Sequence, residues 1–475
     1  MARTPGGTLS AFTLLSTPDE PTITSITTGI GSASVAFTPP TDVGDAAVSS
    51  YVVTAVDESS GASTGGTGSA SPITVAPPAG GTFKIRMQAL NAYGPGRLTE
   101  YDTGNVIYSG ASLWAWSSNT DGQLGDGTRA NKSSPVQIGA LSTWTSASTS
   151  YFHSLGVTSD GKMFAWGSND NWGALGLNLA PSTASNRSSP VQVGALTNWS
   201  TVATGVAPPG TRPSSFAIKT DGTLWSWGNN TYGQLGINNV DPRSSPVQIG
   251  AATDWASVAS NGGSTFAIKS TGSLWAWGNN DQGQLGQNNS SVSFNRSSPV
   301  QVGSLTNWAN VSAGNKFALS VKTDGTLWSW GYGQNGCTGH GNTAPKSSPV
   351  QVGALSDWSR AVSGVSSLTA TALKTDGTLW GWGKNNYGQI GTNNTIYRSS
   401  PVQVGALTNW RKVGLCSAIK SDGTMWKWGR NFVGAVGDGT TTNRSSPVQI
   451  GALTNWYEIF PSSDQSTTLA LYGVV

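Results

Sequence analysis

The sequence predicts an all-β protein, a small antiparallel sandwich followed by a seven-bladed β-propeller. Three observations carry this. After residue 110 a segment of about 50 residues recurs seven times. Within it, 20 of the chain's 21 tryptophans fall on three fixed positions. Before it, about 90 residues read as short strands between turn clusters.

The clearest copy spans 216–250, FAIKTDGTLWSWGNNTYGQLGINNVDPRSSPVQIG. Phe216 and Ile218 alternate with Ala217 and Lys219, Thr220-Asp221-Gly222 turns the chain, and Leu224 and Ser226 alternate with Trp225 and Trp227. Period-two runs on either side of Asp-Gly predict a hairpin. Asp bonds to its local backbone, and Gly supplies φ > 0 without a Cβ clash. The S-P-V-Q segment adds a strand whose proline suits a strand start or a sheet edge. A fourth strand is expected around a third Trp that closes each unit, as at Trp255. Four strands in about 50 residues describe a propeller blade. The second aromatics of the Trp-x-Trp pairs are spaced by 50, 61, 50, 53, 52 and 46 residues. Residues 456–459 and 468–472 read as the first two strands of a unit without its hairpin partner, while Trp114 lacks a preceding third Trp. A clasp joining both ends in one blade is therefore expected; a competing reading gives 105–108 to that hairpin.

The repeat resembles the regulator-of-chromosome-condensation family of seven-bladed propellers. The resemblance rests on D-G-T-L-W-x-W-G-x-N-x-x-G-Q-L-G, as at 221–236, and covers about three quarters of the chain. Two copies, 172–176 and 433–437, lack the Gln, and a third has Asn335-Gly336-Cys337 in place of Gln-Leu-Gly.

In the N-terminal part, strands are expected at 22–26, 34–38, 50–56, 72–76 and 82–90, with Pro39-Pro40, Gly44, Gly61 and Pro77-Pro78 between them. About seven strands in about 90 residues suggest a sandwich. The segment resembles a fibronectin type III domain, an immunoglobulin-like sandwich, on Pro18, Pro21, Ser34-Val35-Ala36-Phe37, Tyr51, 71–75 and 89–96. Phe37 stands where that family usually has Trp, and 59–71 reads as a loose loop. The resemblance implies a spacer or adhesion module. The expected division is an arm at 1–16, the sandwich at 17–108 and the propeller at 109–475.

Charged residues are 10% of the chain, against about 25% in ordinary globular domains. The net charge of +3 gives no basis for a nucleic-acid partner. No apolar run reaches the about 18 residues of a membrane span, so no membrane insertion is expected, and the N-terminal residues lack the apolar core of a secretory signal. Cys337 and Cys416 are expected to be unlinked thiols.

Candidate chemistry is sparse. His153 and His340 form no nucleophile–base pattern, and Cys337-x-x-His340 offers two of the four ligands of a structural zinc. Gly125-Asp126-Gly127-Thr128 and Gly437-Asp438-Gly439-Thr440 offer too few oxygens for calcium. Neither catalysis, a metal nor a cofactor is expected. The candidate ligand-binding residues are cations that precede each Ser-Ser-Pro: Lys132, Arg187, Arg243, Arg296, Lys346, Arg398 and Arg444. As a ring on one rim they could attract a polyanion; alternatively each guanidinium stacks on a Trp of the next blade. A second set, Lys219, Lys269, Lys322, Lys374 and Lys420, ends the first hairpin strand. Trp172, outside the pattern, is a candidate sugar contact, as are the loops 177–186, 205–213 and 288–295.

The expected function is a non-enzymatic structural or adhesion protein. A virion location in a tailed phage fits the low charge, the Gly/Ser/Thr/Asn-rich strands, the lack of a secretory signal and the sandwich placed before a propeller. The arm and sandwich would then attach to other virion or surface proteins, and the propeller would bind host-surface polysaccharide. A bacterial surface or secreted adhesin is the alternative. Guanine-nucleotide exchange, implied by the family's best-known members, would need a wedge and acidic contacts that these short loops lack.

Overall fold

The computed structural model describes residues 15–29, 32–57, 63–75, 81–101, 107–108, 111–169, 172–179, 185–205, 213–364, 368–460 and 467–473. Most of the expected arm, and much of the loops 177–186 and 205–213, lie outside these residues. The chain divides into two compact units, 1–110 (with 474–475) and 111–473.

The first unit contains β1 (Thr22–Gly29), β2 (Ser32–Thr38), β3 (Ser50–Asp57), β4 (Ser63–Gly68), β5 (Ile73–Val75), β6 (Gly81–Asn91), β7 (Gly94–Tyr101) and β8 (Ile107–Tyr108). They form two antiparallel sheets, β1-β2-β5 and β4-β3-β6-β7, with β8 pairing the start of β6. Alternate residues bury into one core: Val35, Phe37, Ile73 and Val75 from one sheet, Val53, Ala55, Ile85 and Met87 from the other. The segment expected to be a loose loop contains β4, registered along Tyr51–Val56. It has no apolar residue, so its backbone pairing defines it. A Cβ on Gly66 would stand 2.5 Å from the Thr74 carbonyl oxygen, which explains the glycine.

The second unit is seven four-stranded antiparallel sheets. Six are continuous in sequence. In the second blade the order from the axis outward is Trp199–Gly205, Ser214–Lys219, Leu224–Gly228 and Arg243–Gln248. This corrects the placement of the third Trp, which opens the next blade instead of closing its own: Trp199 pairs with Lys219. The outer strand pairs on one side only, so the chain must cross back to the axis before it can pair again. The seventh sheet is the clasp, joining Lys132–Gln137 and Ser112–Ser117 to Thr467–Tyr472 and Trp456–Phe460. Leu469 faces Ala115 and Leu471 faces Leu113 in its central pairing. Ile107–Tyr108 pairs with β6, which removes the competing reading of the hairpin.

Each hairpin turns as its sequence dictates. Asp221 Oδ1 accepts from the Thr223 amide at 3.0 Å and the Thr223 hydroxyl at 2.7 Å. That hydroxyl in turn accepts the Trp225 indole at 2.9 Å. Gly222 has φ +75°, and a Cβ there would overlap the Thr253 carbonyl.

The second Trp of each pair locks neighbouring blades. Trp116, Trp166, Trp227, Trp277, Trp330, Trp382 and Trp428 donate to the carbonyls of Ala435, Gln123, Ala174, Gln234, Gln284, Cys337 and Gln389, at 2.8–3.1 Å. Only the backbone oxygen is used, so a missing Gln in three copies leaves the lock intact. The indole of the next blade also lies against the second glycine of Gly-Gln-Leu-Gly. A Cβ on Gly236 would sit 2.7 Å from Trp277 Nε1. The inner strands surround an axial channel of about 260 Å³ lined by hydroxyls, among them Ser148, Thr204 and Ser312.

Candidate functional site

The antiparallel order gives the propeller two unlike faces. One carries the Asp-Gly turns and the crossovers from outer to inner strand. The other carries the loops between first and second strands and the longer loops between third and outer strands. The variable stretch 288–295 belongs to this second, loop face, as do the described residues 177–179, 185 and 186.

All seven candidate cations open their outer strands on the loop face. Arg187, Arg243, Arg296, Lys346, Arg398 and Arg444 pair in register with Gly167, Gly228, Gly278, Gly331, Gly383 and Gly429, and Lys132 pairs with Ser117. Their charges are not equally available. Lys132 Nζ lies 3.3 Å from Asp126. Arg444 Nη2 lies 2.6 Å from Asp438, and its Nε donates to the same oxygen at 2.7 Å. Arg187, Arg243 and Arg296 donate to the carbonyl of the preceding residue. The two Gly-Asp-Gly-Thr loops are thus anchors for cations. Burial opposes ionisation of Asp438, but hydrogen bonds from Thr440 and Arg444 outweigh it and hold the carboxyl below its usual range.

Stacking on tryptophan falls to the other set. Lys219 Nζ lies 4.0 Å from the Trp225 ring and 4.9 Å from Trp199. Lys269, Lys322, Lys374 and Lys420 repeat the arrangement. Among the described residues none of the seven rim cations stacks on a tryptophan, which corrects that expectation. The reason is register. The last residue of the second strand faces the inner Trp of its own blade, as Lys219 faces Trp199, whereas the rim cations start the outer strand at the opposite end of the sheet.

Trp172 is half-buried on the loop face. Sequence reasoning passed over an aromatic cluster on the same face: Tyr387 and Phe432 meet edge to face at 5.2 Å, and the Arg430 guanidinium lies 4.8 Å from the Phe432 ring. These residues come from adjacent blades, so no local pattern joins them.

The remaining polar candidates are structural. His153 is buried, with Ser150 Oγ at 2.8 Å from Nδ1 and Ser215 Oγ at 2.7 Å from Nε2. Burial pushes its pKa down to about 3. The Cys337 thiol donates to the Tyr332 carbonyl and is pushed up to about 12 by burial, while His340 faces Ser329. Cys337 and Cys416 are both free thiols.

The family pattern described as RCC1-like domain matches residues 112–370. The chain belongs to the RCC1-like family. A further RCC1 repeat matches 376–415. This RCC1-like chain is 31% identical over 145 residues to the RCC1 domain-containing protein RUG3, mitochondrial, of Arabidopsis thaliana, covering 30% of the chain and 31% of that protein. It is 29% identical over 316 residues to the ultraviolet-B receptor UVR8 of Arabidopsis thaliana, covering 63% of the chain and 67% of that protein. The chain thus spans less than a third of the length of the first of these relatives. Among solved structures, Prp20p of Saccharomyces cerevisiae, described with its binding to Gsp1p and histones, superposes with TM-score 0.64 at 17% identity, over 77% of this chain and 92% of that one. At that identity the likeness establishes the RCC1-like propeller fold.

Proposed function

We propose that this RCC1-like propeller is a non-enzymatic binding protein, a decoration or tail component of a phage virion, whose loop face engages a host-surface glycan or a partner protein. The observation that carries this reading is a set of exposed apolar side chains on the loop face that varies from blade to blade, whereas the exposed leucines of the turn face, Leu141, Leu196, Leu305, Leu355 and Leu407, repeat at one fixed position. Val240, Val292, Phe294, Ile396, Tyr397 and Phe432 are all exposed, and all stand on loops leading from third to outer strands. Phe294 and Ile396 both stand two residues before their rim cations, but the other blades have Ala130, Ser185, Asp241, Ala344 and Thr442 there, so the repeat does not require a large apolar residue. A binding role is also in keeping with Prp20p, which is described as binding Gsp1p and histones. The two-sheet arrangement of the first unit supports reading it as a fibronectin type III-like spacer that, with the arm, attaches to the particle. A bacterial surface adhesin would use the same face.

The test is binding of the labelled full chain to a panel of bacterial cells, before and after periodate oxidation or protease treatment of their surfaces. Val240→Ser with Phe432→Ser should abolish binding and leave the thermal midpoint within about 2 °C. A turn-face pair, Leu305→Ser with Leu355→Ser, should leave binding intact. Equal loss from both pairs would rule out the loop face.

A further inference from the structure

We propose that the fifth blade holds a subsite for the carboxylate or sulfate of an acidic sugar, centred on Arg398 and Thr392. This rests on the loop face being the binding face and names a ligand class for it.

Around the ring the residue after the second glycine is a carboxylate in two blades, Asp126 and Asp438, and not in the other five, Leu177, Ile237, Gln287, His340 and Thr392. In the sixth blade the residue after the second glycine is Asp438, and it neutralises the rim cation Arg444. In the clasp blade the same offset holds Asp126, paired with Lys132. In the fifth blade that offset holds Thr392, and the rim cation is Arg398. The internal carboxylate is missing while the cation remains. Arg398 makes no ion pair among the described residues, and its Nε is buried without a hydrogen-bond partner, as is the Thr392 hydroxyl oxygen. Leaving a buried donor unpaired is costly, and a guanidinium fork suits a bidentate oxyanion. An incoming carboxylate or sulfate would take the place that Asp438 fills one blade away.

The surroundings favour a sugar as the bearer of that anion. Tyr397 precedes Arg398 and is 44% exposed. Phe432, from the next blade, is 50% exposed and is backed by Tyr387 and Arg430. Such faces can lie under a pyranose ring. An acidic peptide adding itself as a strand is disfavoured, because Pro401 interrupts the outer edge of this sheet.

The experiment is titration of the full chain with four probes in low salt: trigalacturonate, a sulfated heparin tetrasaccharide, maltotriose as the neutral sugar, and oligo-glutamate as the peptide. A single-stranded oligo-dT serves as a further control. Binding of either acidic sugar, and of neither maltotriose, peptide nor oligonucleotide, is expected; the two acidic sugars separate carboxylate from sulfate. Thr392→Asp restores the internal carboxylate and should abolish binding while the thermal midpoint stays level or rises. Arg398→Gln should weaken binding at least tenfold, Phe432→Ala about tenfold, and Lys132→Gln not at all. Equal binding of maltotriose, oligo-glutamate or oligo-dT, no binding by either acidic sugar, or undiminished binding in Thr392→Asp would overturn the subsite. If acidic sugars fail while the loop-face pair still abolishes cell binding, the subsite falls and the binding face stands.

Discussion

At the residue scale, the same physical demand is met by different side chains around the ring. Five blades place a lysine between two tryptophans. In the clasp, Tyr472 stands there, with its ring 5.4 Å from Trp456 and 5.9 Å from Trp114. In the first blade Thr158 leaves room for Trp144 and Phe164 to meet at 5.4 Å. The common requirement is a filled space between aromatic faces. Lys322 Nζ is 3.6 Å from the Trp328 ring, and Lys322→Ala should cost about 1–2 kcal/mol in urea unfolding, chiefly lost cation–π attraction and stem packing. His153 supplies a pH-dependent term. Its folded pKa lies near 3, below the unfolded 6.5. As pH falls through 6.5 the unfolded chain takes up a proton that the folded one refuses, so stability falls between 6.5 and about 3. The slope approaches about 1.4 kcal/mol per pH unit. His153→Gln should remove this share: its stability relative to the parent should rise as pH is lowered from 7.5 to 4.5, read by urea midpoints.

At the element scale, the blade junction is a hydrogen bond plus a contact, and the two can be separated. Trp227→Phe takes the indole N–H from the Ala174 carbonyl, which keeps the Ser215 hydroxyl, and leaves space where the pyrrole ring stood, at a cost of about 1–3 kcal/mol. Gly236 and Gly250 share a left-handed backbone, φ +71° and +59°, but only Gly236 has a neighbour in the way. Gly250→Ala should cost about 1–2 kcal/mol, the left-handed penalty, and Gly236→Ala clearly more, because Trp277 must move. Equal thermal shifts for the two would show that the indole has slack. Much of this element was readable in sequence: hairpins from Asp-Gly between alternating runs, and the clasp from its unmatched halves. The phase of the repeat was not, since in a periodic string any cut gives the same period, and only pairing shows that Trp199 opens a sheet. The strand Ser63–Gly68 was hidden because glycines and threonines at an edge carry no apolar alternation. Thr392 was visible at its offset, but Phe432 beside Tyr387 required knowing which blades touch.

At the scale of the whole molecule, stability depends on the clasp. Two strands come from each end of the repeat array, and Lys427, buried in the sixth blade, donates to Thr468 on one of them. Removing residues 461–475 deletes the strand that joins the two halves. The expected result is an open ring: a thermal midpoint lower by 10 °C or more and protease cleavage near Trp114. Cleavage and melting like those of the parent would show that six blades close without it. The lock at the clasp, Trp116 to the Ala435 carbonyl, has the same chemistry as the other six. A ring whose joints are all alike has no privileged beginning. Loops can therefore diverge one at a time without any joint being renegotiated, and a blade copied from one position would find the same socket at another. New specificity can be written on such a scaffold by duplication and local rewriting, with the circle left whole.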